Sequence, residues 1–213
     1  GHEEYRKDRR RREAYQATSP EGIKFLPDQI ENYVAYWELE MKGFRRERML
    51  VENSHFASAM LTMGKIKELP DPATIPSEQY DILLEKANRT PEDEIRMAAY
   101  LLFLPDEQIE NYVGWKTIPA GTYEDDWFLI EHPDFYKEVY LGILKNERKD
   151  YRKVPTREVF AKYQRYQGLY TDRAKKDYRL ANLDLEDWLL LTGKVTSDIR
   201  EWKRKEELTP AEK

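Results

Sequence analysis

The chain contains no cysteine, which removes structural disulfides, thiolate metal sites and cysteine nucleophiles together. Histidine is nearly as scarce, with His2, His55 and His132 the only three, so a zinc site would have to be dominated by carboxylates, which is unusual for a closed structural site. The nine glycines are scattered singly, and no Gly-rich loop of the kind that cradles phosphates exists. There is no Gly-x-Ser-x-Gly elbow, and Ser19, Ser54, Ser58, Ser77 and Ser197 stand in no pattern with a histidine base. No apolar run approaches the ~20 residues a membrane-spanning helix needs, and no hydrophobic signal segment opens the chain. These lacks point to a soluble, intracellular, cytoplasmic protein with no cofactor and no membrane partner, and away from an enzyme.

What is present is charge and aromatic surface. Charged residues make up 36% and aromatics 13% of the 213 residues, at a mean hydropathy of -0.89, a balance that suits thin helical layers better than a compact sphere. Gly1-His2, with no initiator methionine, reads as a protease scar from a purification tag, so the chain is expected to be a piece of something larger.

Internal repetition is the strongest signal. Phe25-Leu26-Pro27-Asp28-Gln29-Ile30-Glu31-Asn32-Tyr33-Val34 returns as Phe103-Leu104-Pro105-Asp106-Glu107-Gln108-Ile109-Glu110-Asn111-Tyr112-Val113, 78 positions on, with one extra acidic residue after the Pro-Asp. Each stretch starts at a proline and carries an apolar stripe at helical spacing: Ile30, Tyr33, Val34, Trp37 and Met41 in the first, Ile109, Tyr112 and Val113 in the second. A weaker third stretch starts at Pro155 and places Val159, Tyr163, Tyr166 and Tyr170 on one helix face.

Each stretch is followed by a helix containing a polar break and then an apolar anchor. Asn53 precedes Phe56, His132 precedes Phe135 and Asn182 precedes Leu185; in each, the polar residue is expected to stop one helix and cap the next. The spacing predicts an all-α protein of helical-hairpin repeats, forming a short solenoid-like array or an irregular helical bundle. Its expected anchors are Tyr33, Trp37, Phe56, Tyr112, Trp115, Phe135, Tyr163, Tyr166, Leu185 and Trp188.

The expected organisation is a basic N-terminal helix or linker (1–20), a first repeat (21–68), a Pro-rich linker with a divergent helical hairpin (69–103), a second repeat (104–145), a third (146–195), and a C-terminal helix with a polar tail (196–213). Thr90-Pro91 supplies a cap within the divergent hairpin, with acids in the first turn.

The net charge of -5 conceals segregation: residues 68 to 139 are strongly acidic and residues 145 to 180 basic. The basic stretch interleaves cations with aromatics, as single-stranded nucleic acid requires. Lys149, Arg152, Lys153, Arg157, Lys162, Arg165, Arg173, Lys175 and Lys176 are the candidate contacts. The competing reading puts the tyrosines in the core and the cations in solvent. Charge opposition also fits head-to-tail attraction between copies or docking on a charged protein, with any exposed tryptophan as anchor. The N-terminal cluster around Arg9-Arg10-Arg11-Arg12 is interrupted by Glu3, Glu4, Asp8 and Glu13, and reads as a helix laced with i,i+4 pairs.

One constellation resembles a metal site in composition. Glu52-x-x-His55 has the i,i+3 spacing of carboxylate-bridged metal bundles, but such bundles need two such pairs, and turn capping accounts for His55 and His132 equally. The sequence therefore reads as a non-catalytic helical interaction or structural module, belonging to a larger protein or assembly and binding a protein partner or itself. A nucleic-acid-associated module is the first alternative, and a carboxylate/His metal enzyme the second.

Overall fold

The computed structural model describes residues 1–207, and among them every regular element is helical, with no strand. The chain is all-α; the end of the polar tail, 208–213, lies outside the described residues. Two compact units divide it, Gly1–Thr117 and Ile118–Lys213.

The first unit contains α1 (His2–Gln16), α2 (Pro27–Glu38), α3 (Arg45–Glu52), α4 (Ser54–Thr62), a 3-10 turn (Pro72–Thr74), α5 (Glu78–Glu85), α6 (Pro91–Leu101) and α7 (Asp106–Thr117). Its core gathers Phe25, Ile30, Tyr33, Tyr36, Leu50, Phe56 and Met60, with Ala14 of α1 packed in. The basic α1 forms the expected local pairs, Lys7 to Glu3 and Arg9 to Glu13. Its Arg11 reaches across to α2 with a two-pronged grip on Glu31.

Pro27 starts α2, where a fixed φ and a missing N–H cost nothing, and the Leu26 amide donates to the Gln29 side chain at 2.9 Å. At the other end Arg46 donates to the Leu39 carbonyl at 2.8 Å, placing a cation on carbonyls that have no helical partner. The helix stops there, so Met41 falls outside the stripe assigned to it and is 84% exposed. Asp81 of α5 is fully buried and accepts from the Phe44 amide and the Arg48 guanidinium, each at 2.8 Å. Gly43 makes that approach possible: it sits at φ +76°, and a Cβ there would collide with the Asp81 carboxylate.

The echoed stretches align differently in space than in letters. Phe25, Gln29, Ile30, Tyr33 and Val34 are buried, and so are Leu104, Gln108, Ile109, Tyr112 and Val113, a constant offset of 79 positions rather than 78. The extra residue is therefore absorbed ahead of the helix, not after Pro-Asp. Leu104 takes the slot of Phe25, and Phe103 is displaced to the surface at φ +53°. The helix-to-helix ion pair recurs as well, with Arg96 of α6 gripping Glu110 of α7 by two bonds of 2.9 Å, as Arg11 grips Glu31.

The second unit contains α8 (Tyr123–Glu131), α9 (Pro133–Phe135) running on as a π-helix (Tyr136–Ile143), a 3-10 turn (Tyr151–Lys153), α10 (Arg157–Gln167), α11 (Asp172–Ala181), α12 (Leu183–Leu191) and α13 (Ile199–Glu207). Val159, Leu185, Trp188 and Leu189 form a core cluster against which Tyr163 and Tyr166 pack. Because α10 ends at Gln167, Tyr170 is off its face and fully exposed, not in the stripe. Two indoles fasten the segment before α10: Trp127 donates to the Pro155 carbonyl at 2.6 Å and Trp188 to that of Lys153 at 2.9 Å.

The three polar breaks adopt one conformation. Asn53 lies at φ -123°, ψ 68°, His132 at -122°, 69° and Asn182 at -134°, 75°. Each side chain donates backward to the carbonyl four residues earlier: Asn53 to Met49, His132 through Nδ1 to Phe128, Asn182 to Tyr178, at 2.8–2.9 Å. They thus close the preceding helix and make no cap for the next, contrary to the expected role, because the side chain is spent on the unpaired carbonyl behind it. Three residues on, Phe56, Phe135 and Leu185 are all buried to within 1%.

Beyond the break the second pair differs. A residue with positive φ closes the helix eleven positions after Asn53 and Asn182, at Gly64 and Gly193, but thirteen after His132, at Lys145. The wider π-helical turns of 136–143 hold the extra residues in register.

Candidate interaction surfaces

Each of the five tryptophans is covered by the chain's own cations. Arg10 and Arg46 lie over Trp37, each at 5.0 Å, Lys116 over Trp115 at 4.7 Å and Arg157 over Trp127 at 4.6 Å. Lys194 lies over Trp188 at 5.5 Å, and Arg173 and Lys176 over Trp202 at 5.3 and 4.7 Å. Trp127 and Trp188 are buried and the other three half-buried, so none stands out as a free aromatic anchor. Among the remaining expected anchors, Tyr33, Phe56, Tyr112, Phe135 and Leu185 are buried, while Tyr163 and Tyr166 are half-buried.

Much of the basic segment's charge is met by carboxylates of the second unit itself. Lys149 bridges Asp125 at 2.8 Å and Asp126 at 2.6 Å; burial opposes its charge, but the hydrogen bonds to the two carboxylates outweigh it and the ammonium pKa is raised. Arg157 grips Glu131 while stacked on Trp127. Arg152 is paired with Asp150, Lys162 with Glu158 and Asp184, and Arg173 with Asp177 and Glu206. That leaves Lys153, Arg165, Lys175 and Lys176, of the nine candidate nucleic-acid contacts, with no ion pair among the described residues. Lys175 sits 5.8 Å from the Tyr166 ring. The sequence signal of cations among aromatics is thus met largely by partners within the chain.

Glu52 ends α3 and His55 lies in α4, so Asn53 separates them and they share no continuous helix; both are exposed. Among the described residues no group of three or more His, Cys, Asp or Glu is placed to hold a metal ion. No helix of the described residues is long and apolar enough to cross a membrane. Glu124, Asp125 and Asp126 occupy the first turn of α8, where Thr122 accepts from the Asp125 amide; negative charge is favoured at that end of a helix.

Apolar surface that sequence reasoning did not single out lies in the first unit. Ile23 and Leu26, just before α2, are 54% and 58% exposed. With Ala59 and Thr62 of α4 and Met63 just beyond it they line a cleft of about 290 Å³, which Lys24, Gln29, His55 and Ser58 complete. The turn before α7 exposes apolar side chains too, with Leu101, Leu102 and Phe103 at 46%, 37% and 49%. Ile23 stands in polar company between Gly22 and Lys24, whereas Leu101 lies in an apolar run, and only burial reveals which of these residues remain outside. No protein family, curated protein or solved structure matches this chain.

Proposed function

We propose that the chain is a non-catalytic helical-repeat interaction module, built to bind another polypeptide within a larger protein or assembly. The cleft beside α4 carries this reading: an apolar trough with half-exposed aliphatic walls and a few polar groups fits a short apolar segment of a protein partner. The matched breaks at Asn53, His132 and Asn182 support the repeat character, since one local device recurs with one geometry. A photoreactive phenylalanine analogue in place of Ser58, which lines the cleft, should form an adduct with one defined polypeptide. The adduct should vanish with Leu26→Asp and be absent from the same analogue at the fully exposed Tyr170. Equal adducts at both positions would refute the reading.

A second reading rests on Lys153, Arg165, Lys175 and Lys176, which form no ion pair with a carboxylate of the described residues. Such a surface attracts a polyanion, and oligonucleotide binding that weakens with salt and with Lys175→Glu and Lys176→Glu is its expected outcome. No binding at low salt removes it.

A further inference from the structure

The first unit carries a projection as well as a cleft, and the two have complementary chemistry. Phe103 ends the α6 turn in left-handed backbone, at φ +53°, a conformation that a bulky side chain adopts at a cost. Its ring remains 49% exposed beside the exposed Leu102. Its backbone closes α6 as Gly64 closes α4 and Gly193 closes α12, the Phe103 amide donating to Tyr100 and the Leu104 amide to Ala99, so a position suited to glycine here presents an aromatic ring to solvent. The insertion that displaced it also gave the core slot to Leu104, so the ring has no place inside its own unit.

Charge supplies the direction. Asp106 and Glu107, just past the projection, are exposed and have no ion-pair partner among the described residues. Lys24, on the wall of the cleft, is exposed and likewise without one. The cleft of about 290 Å³ is lined by Ile23, Leu26, Ala59 and Met63, an apolar trough suited to one aromatic ring and a neighbouring leucine. Seating Phe103 and Leu102 there would bring the two acids toward Lys24.

We propose that the occupant of the cleft is the Leu102-Phe103 projection of a second copy of this chain. This rests on the reading of the cleft as a polypeptide-binding surface and names its partner. Cleft and projection share no residue, so one copy is free to give its projection to one neighbour and accept another's, and such a heterologous contact makes open chains or rings. A contact of this size belongs to the weak, transient class, so assembly is read at high protein concentration.

The test is sedimentation velocity on the full chain over a concentration series. Wild type should form concentration-dependent oligomers, and Phe103→Asp and Leu26→Asp should each remain monomeric. Mixed together, the two variants should give dimers and nothing larger, because the first keeps an intact cleft and the second an intact projection. The milder Phe103→Ala should weaken the dissociation constant roughly tenfold or more. Both sites are exposed, so helical circular dichroism should be unchanged and serves as the folding control. A wild type that stays monomeric to its solubility limit overturns the inference, as does assembly indifferent to either variant. Failure of the mixture to dimerise overturns head-to-tail docking in favour of a symmetric contact. If wild type is monomeric while the Ser58 adduct with another polypeptide persists, self-docking is wrong and the wider reading of the cleft stands.

Discussion

Phe25 and Phe103 open the same four-residue phrase, Phe-Leu-Pro-Asp, yet Phe25 is 6% exposed and Phe103 49%. The helices behind them are laid down in the same register, with Ile30, Tyr33 and Val34 answered by Ile109, Tyr112 and Val113. Three buried side chains outweigh one: moving α7 by a single residue to recover the Phe25 slot would rotate its apolar stripe by about 100°. The insertion is therefore taken up at the entry to the helix, where it costs one ring and a strained backbone angle. A motif this short is subordinate to the stripe that follows it.

The breaks offer a parallel contrast. Three residues before the break stand Leu50, Leu129 and Arg179, and four after it Ala57, Tyr136 and Glu186. The third pair thus replaces apolar contact with an ion pair, Arg179 to Glu186 at 2.6 and 2.8 Å. Glu186 is fully buried and also accepts from the Ile199 amide at 2.7 Å, while Arg179 donates to the Ser197 carbonyl at 2.8 Å. The pair fastens the start of α13, a task the other two pairs do not have.

Removing an anchor is the most damaging way to test whether the pairs are alike. Phe56→Ala and Phe135→Ala should each cost about 3–5 kcal/mol in chemical denaturation, since both rings are fully enclosed. A loss below about 1 kcal/mol at either would break the correspondence. Glu186→Ala should cost a similar ~3–5 kcal/mol by stranding a buried guanidinium. Arg179→Leu combined with Glu186→Ala, which installs the residues of the first pair, should recover most of that loss. Amide exchange at Ile199 should nevertheless quicken in the double variant, because its acceptor is gone; unchanged exchange would mean that the ion pair does not hold α13.

Smaller effects separate the two phrases. Phe103→Asn should stabilise by about 1 kcal/mol, because asparagine tolerates left-handed backbone and little burial is lost. The same change at the enclosed Phe25 should destabilise by several times as much, about 3–5 kcal/mol, and equal signs at the two sites would sink the register argument.

Acid distinguishes two helix starts. At α2 the Leu26 amide is held by the neutral Gln29, whereas at α6 the Thr90 amide is held by the Asp93 carboxylate at 2.8 Å. Hydrogen bonds from Lys86 and from the Thr90 amide lower the Asp93 pKa to about 2. A carboxylate held below its ordinary value of about 3.9 contributes stability that is complete above that value and fades as pH falls toward 2. Amide protection at the start of α6 should follow that window and that of α2 should not; Asp93→Asn should remove the dependence.

Much of the framework was legible because it is local. Pro27 and Thr90 mark helix starts through contacts within three residues, and the Asn and His breaks act through a carbonyl four residues behind. The limits of α10 were less legible, since Gly168 ends it before Tyr170 although the apolar spacing continues. The candidate surfaces were hardest to read. Cations among aromatics in sequence can face solvent or the chain's own rings, and spacing does not distinguish the two.

What the sequence determined by itself is thus the helical class, several helix starts and the three breaks, all set by interactions a few residues long. The tertiary structure decided what depends on distant partners: that Lys149 meets Asp125 and Asp126, that all five indoles are covered by cations, and that Leu104 displaces Phe103. The reason is physical: a local hydrogen bond needs only the neighbouring residues, whereas the choice between two rings for one core slot is made by the side chains that enclose it.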